Sequence, residues 1–550
     1  MTNPRTARPR NVRRAAALLF MLGTGACART APLEPIAPPA APDFVRVADS
    51  IIDTPPMHRA FLGIEVYDPV AKKVLYSHNG ERHFVPASNE KLWATTTALE
   101  VLGPNYRYRT PILGVGLDAG TGTASALVVV GRGDPTFSER FHVPDPVVIG
   151  PSGDTVRTRP DPAVSQRRSL AVLDSLADSV VASGVKHVAG DLIVDASFFD
   201  DAIIPGAWTF GNLNGTSAPP TGAFVVSEGV MRVQVAPGAA IGEPAVVTPW
   251  TPAGYVPIAS RVVTGEAVIP TPGEERGGGR GGRVSTQRGP WSDTLKLAGT
   301  IAIGAQPQVL SLPMTDPVVF AANALADAFR SRGIVIDGSV RVVRDSVEAA
   351  AVRAGRLSAT TAPLPVSEVA AWSSPPMSDI VRNILQPSQN WIAEQLLRTL
   401  GGEKRGSGSF RNGIEVEMEF LEGTVGIDSL ALSLNDGSGM SPQNLVTPHA
   451  IVQLLDYART APWSQTFRDA LTGPGRPGTL QNRLPHLAGR LTGKTGTLNS
   501  VNALSGYLTI KDGRELIFST ISNASGLGGG APVEALNKLV DTLANGIPPR

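Results

Sequence analysis

Apolar positions follow a strand rhythm at both ends of the chain and a helical rhythm between them. FLGIEVYD (61–68) and KVLYSHNG (73–80) are rich in β-branched, aromatic and aliphatic residues on either side of a Pro/Lys turn. That pattern predicts two strands of a hairpin, ending at Asn79-Gly80. In PASNEKLWATTTALEVLG (86–103) the apolar residues Leu92, Trp93, Ala94, Ala98, Leu99 and Leu102 occupy more than one face. Such a helix is a buried one, and its expected start is near Ser88. From about 107 to 363 the texture turns to short Val/Ile runs broken by Gly and Pro, as in ASALVVVGRGDPTF and HVAGDLIVDASFF. Two amphipathic helical patterns, 169–183 and 317–332, each lead into a strand-like run, which predicts an inserted α+β region. Helical spacing is expected again from Val366 through PPMSDIVRNILQPSQNWIAEQLLRTLG, with a break at Pro387-Ser388. The strand-like runs GRLTGKTGTLN, SGYLTI and ELIFSTIS and a helix over 532–545 close the chain. Strands at both ends can share one sheet, so the predicted fold class is mixed α/β (α+β).

Composition adds size and compartment. At 550 residues the chain has room for about two to four domains, and 42% apolar with 18% charged residues is a normal globular balance. Arg5, Arg8, Arg10, Arg13 and Arg14 precede an apolar run at 15–22 and small residues up to Ala26, the layout of an export signal over 1–26. The apolar run is too short to span a bilayer. Cys27, the only cysteine, resembles the lipobox cysteine of bacterial lipoproteins, although Thr24 stands where leucine is usual. A lipid anchor on Cys27 and a semi-rigid Pro-rich tether over 27–44 follow from that reading; simple cleavage a few residues away is the alternative. Removing 1–26 takes away five arginines and no acids, moving the formal charge from +1 to −4. A mildly acidic chain is no nucleic-acid binder, and the Gly/Arg-rich stretch 273–283 has too few bases and no interleaved aromatics to change that. One cysteine allows no internal disulfide, and neither C-x-x-C nor H-E-x-x-H is present to hold zinc.

Candidate chemistry begins with Ser88 and Lys91, since S-x-x-K at a helix start puts a hydroxyl and an amine on one face. Alone the motif is weak: serine is also a good N-cap, and Ser183 with Lys186 repeats the spacing. Ser388-Gln389-Asn390 supplies S-x-N in the interhelix break, a pattern also matched at Ser77, Ser433 and Ser500. Lys494-Thr495-Gly496 is the single K-T-G and lies on an expected strand, where glycine lets a ligand approach the backbone.

In this order and these contexts the three motifs resemble the penicillin-binding proteins and serine β-lactamases. The 300 residues from Ser88 to Ser388, against 104 from Asn390 to Lys494, resemble the class C low-molecular-mass penicillin-binding proteins, the D-alanyl-D-alanine carboxypeptidase/endopeptidase family. GRGDPTF, GDLIVDASFFD, NWIAEQLLRTLG, NDGSGMSPQNLVTP and LTGKTGTLNSVNALSGY are similar to that family's segments, and the likeness runs from about residue 45 to the end. The resemblance implies a transpeptidase fold at 45–106 and 364–550, with an insert at 107–363 of two nested subdomains, the inner at about 235–312. It further implies Ser88 as nucleophile and Lys91 as base, its pKa lowered by burial and by the second cation Lys494. Ser388 and Asn390 would relay the proton and hold the substrate; Lys494, Thr495, Gly496 and Thr497 would form the wall that takes the terminal carboxylate. Backbone N–H groups of Ser88 and Thr497 would make the oxyanion hole. The expected ligands are peptidoglycan stem peptides and β-lactams, with no metal or cofactor, in the periplasm or cell envelope. Asp134 in GRGDPTF is either a contact for the substrate's side-chain amine or a turn residue bonding its own backbone. Alternatives are a β-lactamase, an inactive wall-binding module and a Ser-His-Asp hydrolase. The insert, the intact motifs and the lack of a G-x-S-x-G elbow respectively argue against them.

Overall fold

Strands from the two ends of the chain lie side by side. In the computed structural model Phe61–Asp68 pairs antiparallel with Lys73–His78 and with Glu515–Asn523, and the sheet continues through Val501–Thr509 to Leu491–Leu498 at its edge. The structure describes residues 43–547 other than 143–146, 150–154, 158–161, 267–281, 290–291, 361 and 527–529. The expected signal peptide, Cys27, nearly all of the tether and most of the stretch 273–283 lie outside the described residues.

Alternation along the central strands serves two cores. Leu504, Leu508, Leu516 and Phe518 face the helices Asp43–Asp53 and Gly530–Ala544, which close over them with Ala48, Leu536 and Leu539. Ala503, Tyr507, Ile517 and Ile521 join the other core, which includes Leu92 and Trp93. Successive side chains point to opposite faces, so strands covered on both sides read as nearly continuous apolar runs. Phe44 belongs to the first core, edge-on to Tyr76 at 5.3 Å. The chain therefore enters the fold at Asp43, inside the stretch assigned to the tether.

Lys91–Val101 is buried from Lys91 through Leu99, packed against Met377–Leu385, Asn390–Arg405 and Phe410–Phe420. The insert is built on a second five-stranded sheet, ordered Val340–Val343, Leu192–Asp195, Ala126–Val130, Arg109–Val115, Val366–Ser373. The helices Pro162–Ala182 and Pro317–Ser331 occur where helical spacing predicts them, the first starting earlier. Among the described residues, two three-stranded sheets lie between 230 and 313.

Val366–Ser373 corrects the expectation of helix from Val366. It is a strand, antiparallel to Arg109–Val115 with a bulge at Glu368/Ala370, and the helix begins only at Met377, after Pro375-Pro376. Proline disfavours helical backbone in the residue before it, so helix cannot run through this pair. The sheet of the insert thus extends past 363 to Ser373.

Candidate active site

Ser88 sits in one 3-10 turn, Ala87–Glu90, that runs straight into the Lys91–Val101 helix. Its hydroxyl caps neither element; it meets the Lys91 Nζ at 2.9 Å. Three contacts hold the turn. Asn89 donates to Ser505 Oγ at 2.8 Å, and Ser505 in turn to Ser519 at 3.0 Å, which ties the turn to the sheet. Gly439, at φ +82°, lies so close that a Cβ there would stand 1.9 Å from the Ala87 carbonyl oxygen. Gly496 on the edge strand is the third, since its Cβ would stand 2.6 Å from the Pro86 carbonyl oxygen and 3.1 Å from the Ser88 nitrogen. Ala87, just before the nucleophile, holds a left-handed φ of +48°, and Ser388 one of +62°. Non-glycine residues pay for that conformation and keep it only where surrounding contacts fix it.

Lys91 has three polar neighbours: Ser88 Oγ at 2.9 Å, Asn390 Oδ1 at 2.7 Å and the Ser438 carbonyl at 2.5 Å. The Asn390 amide orientation follows from its other end, where Nδ2 donates to the Ser217 carbonyl at 2.8 Å. Asn390 Oδ1 and Ser438 O can only accept, so a neutral amine spends its two hydrogens on them. Its lone pair is then left for the Ser88 hydroxyl.

Opposite stands Lys494, whose Nζ donates to Ser388 Oγ and to the Thr495 carbonyl, both at 2.8 Å. Thr495 Oγ1 donates to Thr479 at 2.6 Å, while Thr497 is exposed at the rim. Both lysines are fully buried. Burial pushes Lys91 down to about 8 against the opposing pull of Asp436, Glu394 and Glu90. Lys494 is held well below the ordinary lysine range, by burial first and by the charge of Lys91 second. Desolvation therefore brings the base toward neutrality.

A family model for the D-Ala-D-Ala carboxypeptidase 3 (S13) family matches residues 45–545. The chain belongs to this family. The D-alanyl-D-alanine carboxypeptidase of Actinomadura sp. (strain R39) is 31% identical over 510 residues, 90% of this chain and 83% of that one. D-alanyl-D-alanine carboxypeptidase DacB of Haemophilus influenzae is 22% identical over 470 residues, 83% of this chain and 84% of its own. The crystal structure of penicillin binding protein 4 (dacB) from H. influenzae superposes with a TM-score of 0.71 at 20% identity, covering 91% of this chain and 99% of that one. The resemblance read from the motifs and the fold class it implied both hold.

Around the three motifs of this S13 chain lies a fourth segment, Asp436-Gly437-Ser438-Gly439, which supplies a carbonyl to Lys91 and a glycine beneath Ala87. It lies within NDGSGMSPQNLVTP, one of the segments similar to the family's, but no role could be read for it there, because its contact with Lys91 is made by backbone. The insert adds Ser217, through Asn390, and Trp208, whose Nε1 donates to Asp436 at 2.8 Å. Asp134 makes no hydrogen bond to Ser88, Lys91, Ser388, Asn390 or Lys494. It is 2% exposed, and its Oδ1 accepts from the Thr136 N–H at 2.8 Å and hydroxyl at 2.7 Å. That is the turn geometry, and burial pushes the carboxyl up to about 7.

Proposed function

We propose that this protein is a serine-type D-Ala-D-Ala carboxypeptidase and DD-endopeptidase that works through an acyl-enzyme on Ser88. Neutral Lys91 takes the Ser88 proton as Oγ attacks the carbonyl carbon of the penultimate D-alanine of a stem peptide. The oxyanion is met by backbone N–H groups of Ser88 and Thr497, a class of contact typically contributing about 2.7–4 kcal/mol per donor. Ser388 passes a proton to the leaving amine as the C–N bond breaks, and water then hydrolyses the ester. Lys494, Thr495 and Thr497 hold the terminal carboxylate, with Gly496 keeping the strand close. Asn390 keeps the amine oriented and flanks the substrate backbone.

The observation that carries this reading is the arrangement at Lys91, two pure acceptors and one hydroxyl around a buried amine. β-Lactams are expected to acylate the same serine; the H. influenzae protein has been crystallised complexed with a novel β-lactam, in a structure of TM-score 0.66 to this one. The leader over 1–26 and Cys27 support export to the cell envelope with a lipid tether, and no helix among the described residues is long and apolar enough to cross a membrane. The test is purified protein incubated with a stem peptide ending in D-Ala-D-Ala and with cross-linked muropeptide, the products identified by mass. Release of D-alanine by the wild type and not by Ser88→Ala is expected; release by both would overturn the assignment.

A further inference from the structure

The Asn390–Arg405 helix touches Lys91 through Asn390 and, one turn later, grips the loop that binds Lys91 through a residue with no part in the chemistry above. Glu394 is four residues on and so lies on the same helical face. It is fully buried, and its two carboxyl oxygens accept the backbone N–H groups of Gly437 at 3.0 Å and Ser438 at 2.9 Å. The Ser438 carbonyl is the one that accepts from Lys91. The flanks of this short loop are tied separately: Asp436 accepts from the Gly439 and Ser441 N–H groups, from Asn444 and from Trp208. Its middle is held by Glu394.

We propose that Glu394 is a positioning residue for acylation of Ser88: by gripping the 437–438 backbone it fixes the carbonyl that orients the Lys91 amine. The inference rests on Lys91 being the base. Without a fixed Ser438 carbonyl only Asn390 constrains the amine, which can then turn its lone pair away from the Ser88 hydroxyl.

Glu394 also sets the charge around that amine. The charged and titratable groups around Lys91 and Glu394 are Glu90 on the Ala87–Glu90 turn, Asp436 on the loop, Glu417 on the Phe410–Phe420 helix, Arg398 one turn beyond Glu394 and Lys494 on the edge strand. Burial, then Asp436, push Glu394 up to about 8, the range in which Lys91 titrates. The acid limb of acylation is therefore a property of the pair. A negative Glu394 raises the Lys91 pKa, so a neutral replacement moves that limb to lower pH.

Stopped-flow acylation by a fluorescent penicillin, counted per labelled molecule and followed across pH, separates these effects in wild type, Glu394→Asp and Glu394→Gln. Glu394→Asp keeps the charge but is one methylene short of the loop. Its limiting acylation rate should fall at least tenfold, with the non-covalent binding constant unchanged and the acid limb in place. Glu394→Gln keeps the shape and one acceptor, so its rate should fall less while the acid limb moves to lower pH. Wild-type rates and an unmoved limb in both variants, with only a lower melting temperature, would make Glu394 a structural residue and overturn the proposal. Failure of the wild type itself to label would instead overturn the reading of Ser88 and Lys91.

Discussion

A lysine can take a proton only when it has none to spare, and the surroundings of Lys91 meet that demand by desolvation and by geometry together. With its pKa near 8, the amine loses its proton as pH rises through that value, so acylation should climb from pH 6 to 9 and level off above. Lys91→Arg tests the same point, because guanidinium stays protonated in any protein. Its acylation rate should drop by about 10²- to 10⁴-fold, the usual worth of a general base, and a rate within tenfold of wild type would place the base elsewhere. At this scale much was legible in the sequence: Ser88, Lys91, Ser388, Asn390 and Lys494 converge as the motif order implies. Ser438, Ser217 and Thr479 were not legible, since two act through carbonyls and the third comes from an irregular loop. Asp134 shows the limit from the other side, a polar residue in a suggestive motif whose Oδ1 bonds its own turn.

Elements bring those residues within reach, and one close meeting is between the edge strand Leu491–Leu498 and the turn Ala87–Glu90. Gly496→Ala puts a methyl group against the Pro86 carbonyl, which is backbone and cannot yield as a side chain would. The strand must retreat from Ser88 by a few tenths of an ångström, and acylation should fall by about tenfold to a hundredfold while the circular dichroism stays native. An undiminished rate would mean that strand and turn are not held at a critical separation. The hairpin, the C-terminal strands and the buried helix were readable because their apolar patterns are set by burial on known faces. Val366–Ser373 was not, because it is an edge strand whose exposed positions carry little pattern and whose partner lies more than 250 residues earlier.

On the scale of the whole molecule, one sheet is assembled from both ends of the chain, and the insert between them is part of the site it interrupts. Trp208, from the insert, bonds a buried carboxylate on the loop that serves Lys91. Trp208→Phe removes that donor and should lower stability by about 1–3 kcal/mol, read by urea denaturation, with a slower acylation rate. Unchanged values for both would detach the insert from the site. Motif spacing gives the 300 residues between Ser88 and Ser388, whereas the contacts that the intervening residues make with the site could not be read, since they join segments 170 to 230 residues apart. The claim on which the rest depends is that Ser88 becomes the acyl-enzyme ester. Its most direct test is to acylate the purified protein with benzylpenicillin, digest it and locate the adduct by tandem mass spectrometry. One adduct per chain on Ser88 is predicted; an adduct on Ser183, on Ser388 or on no serine would contradict the account.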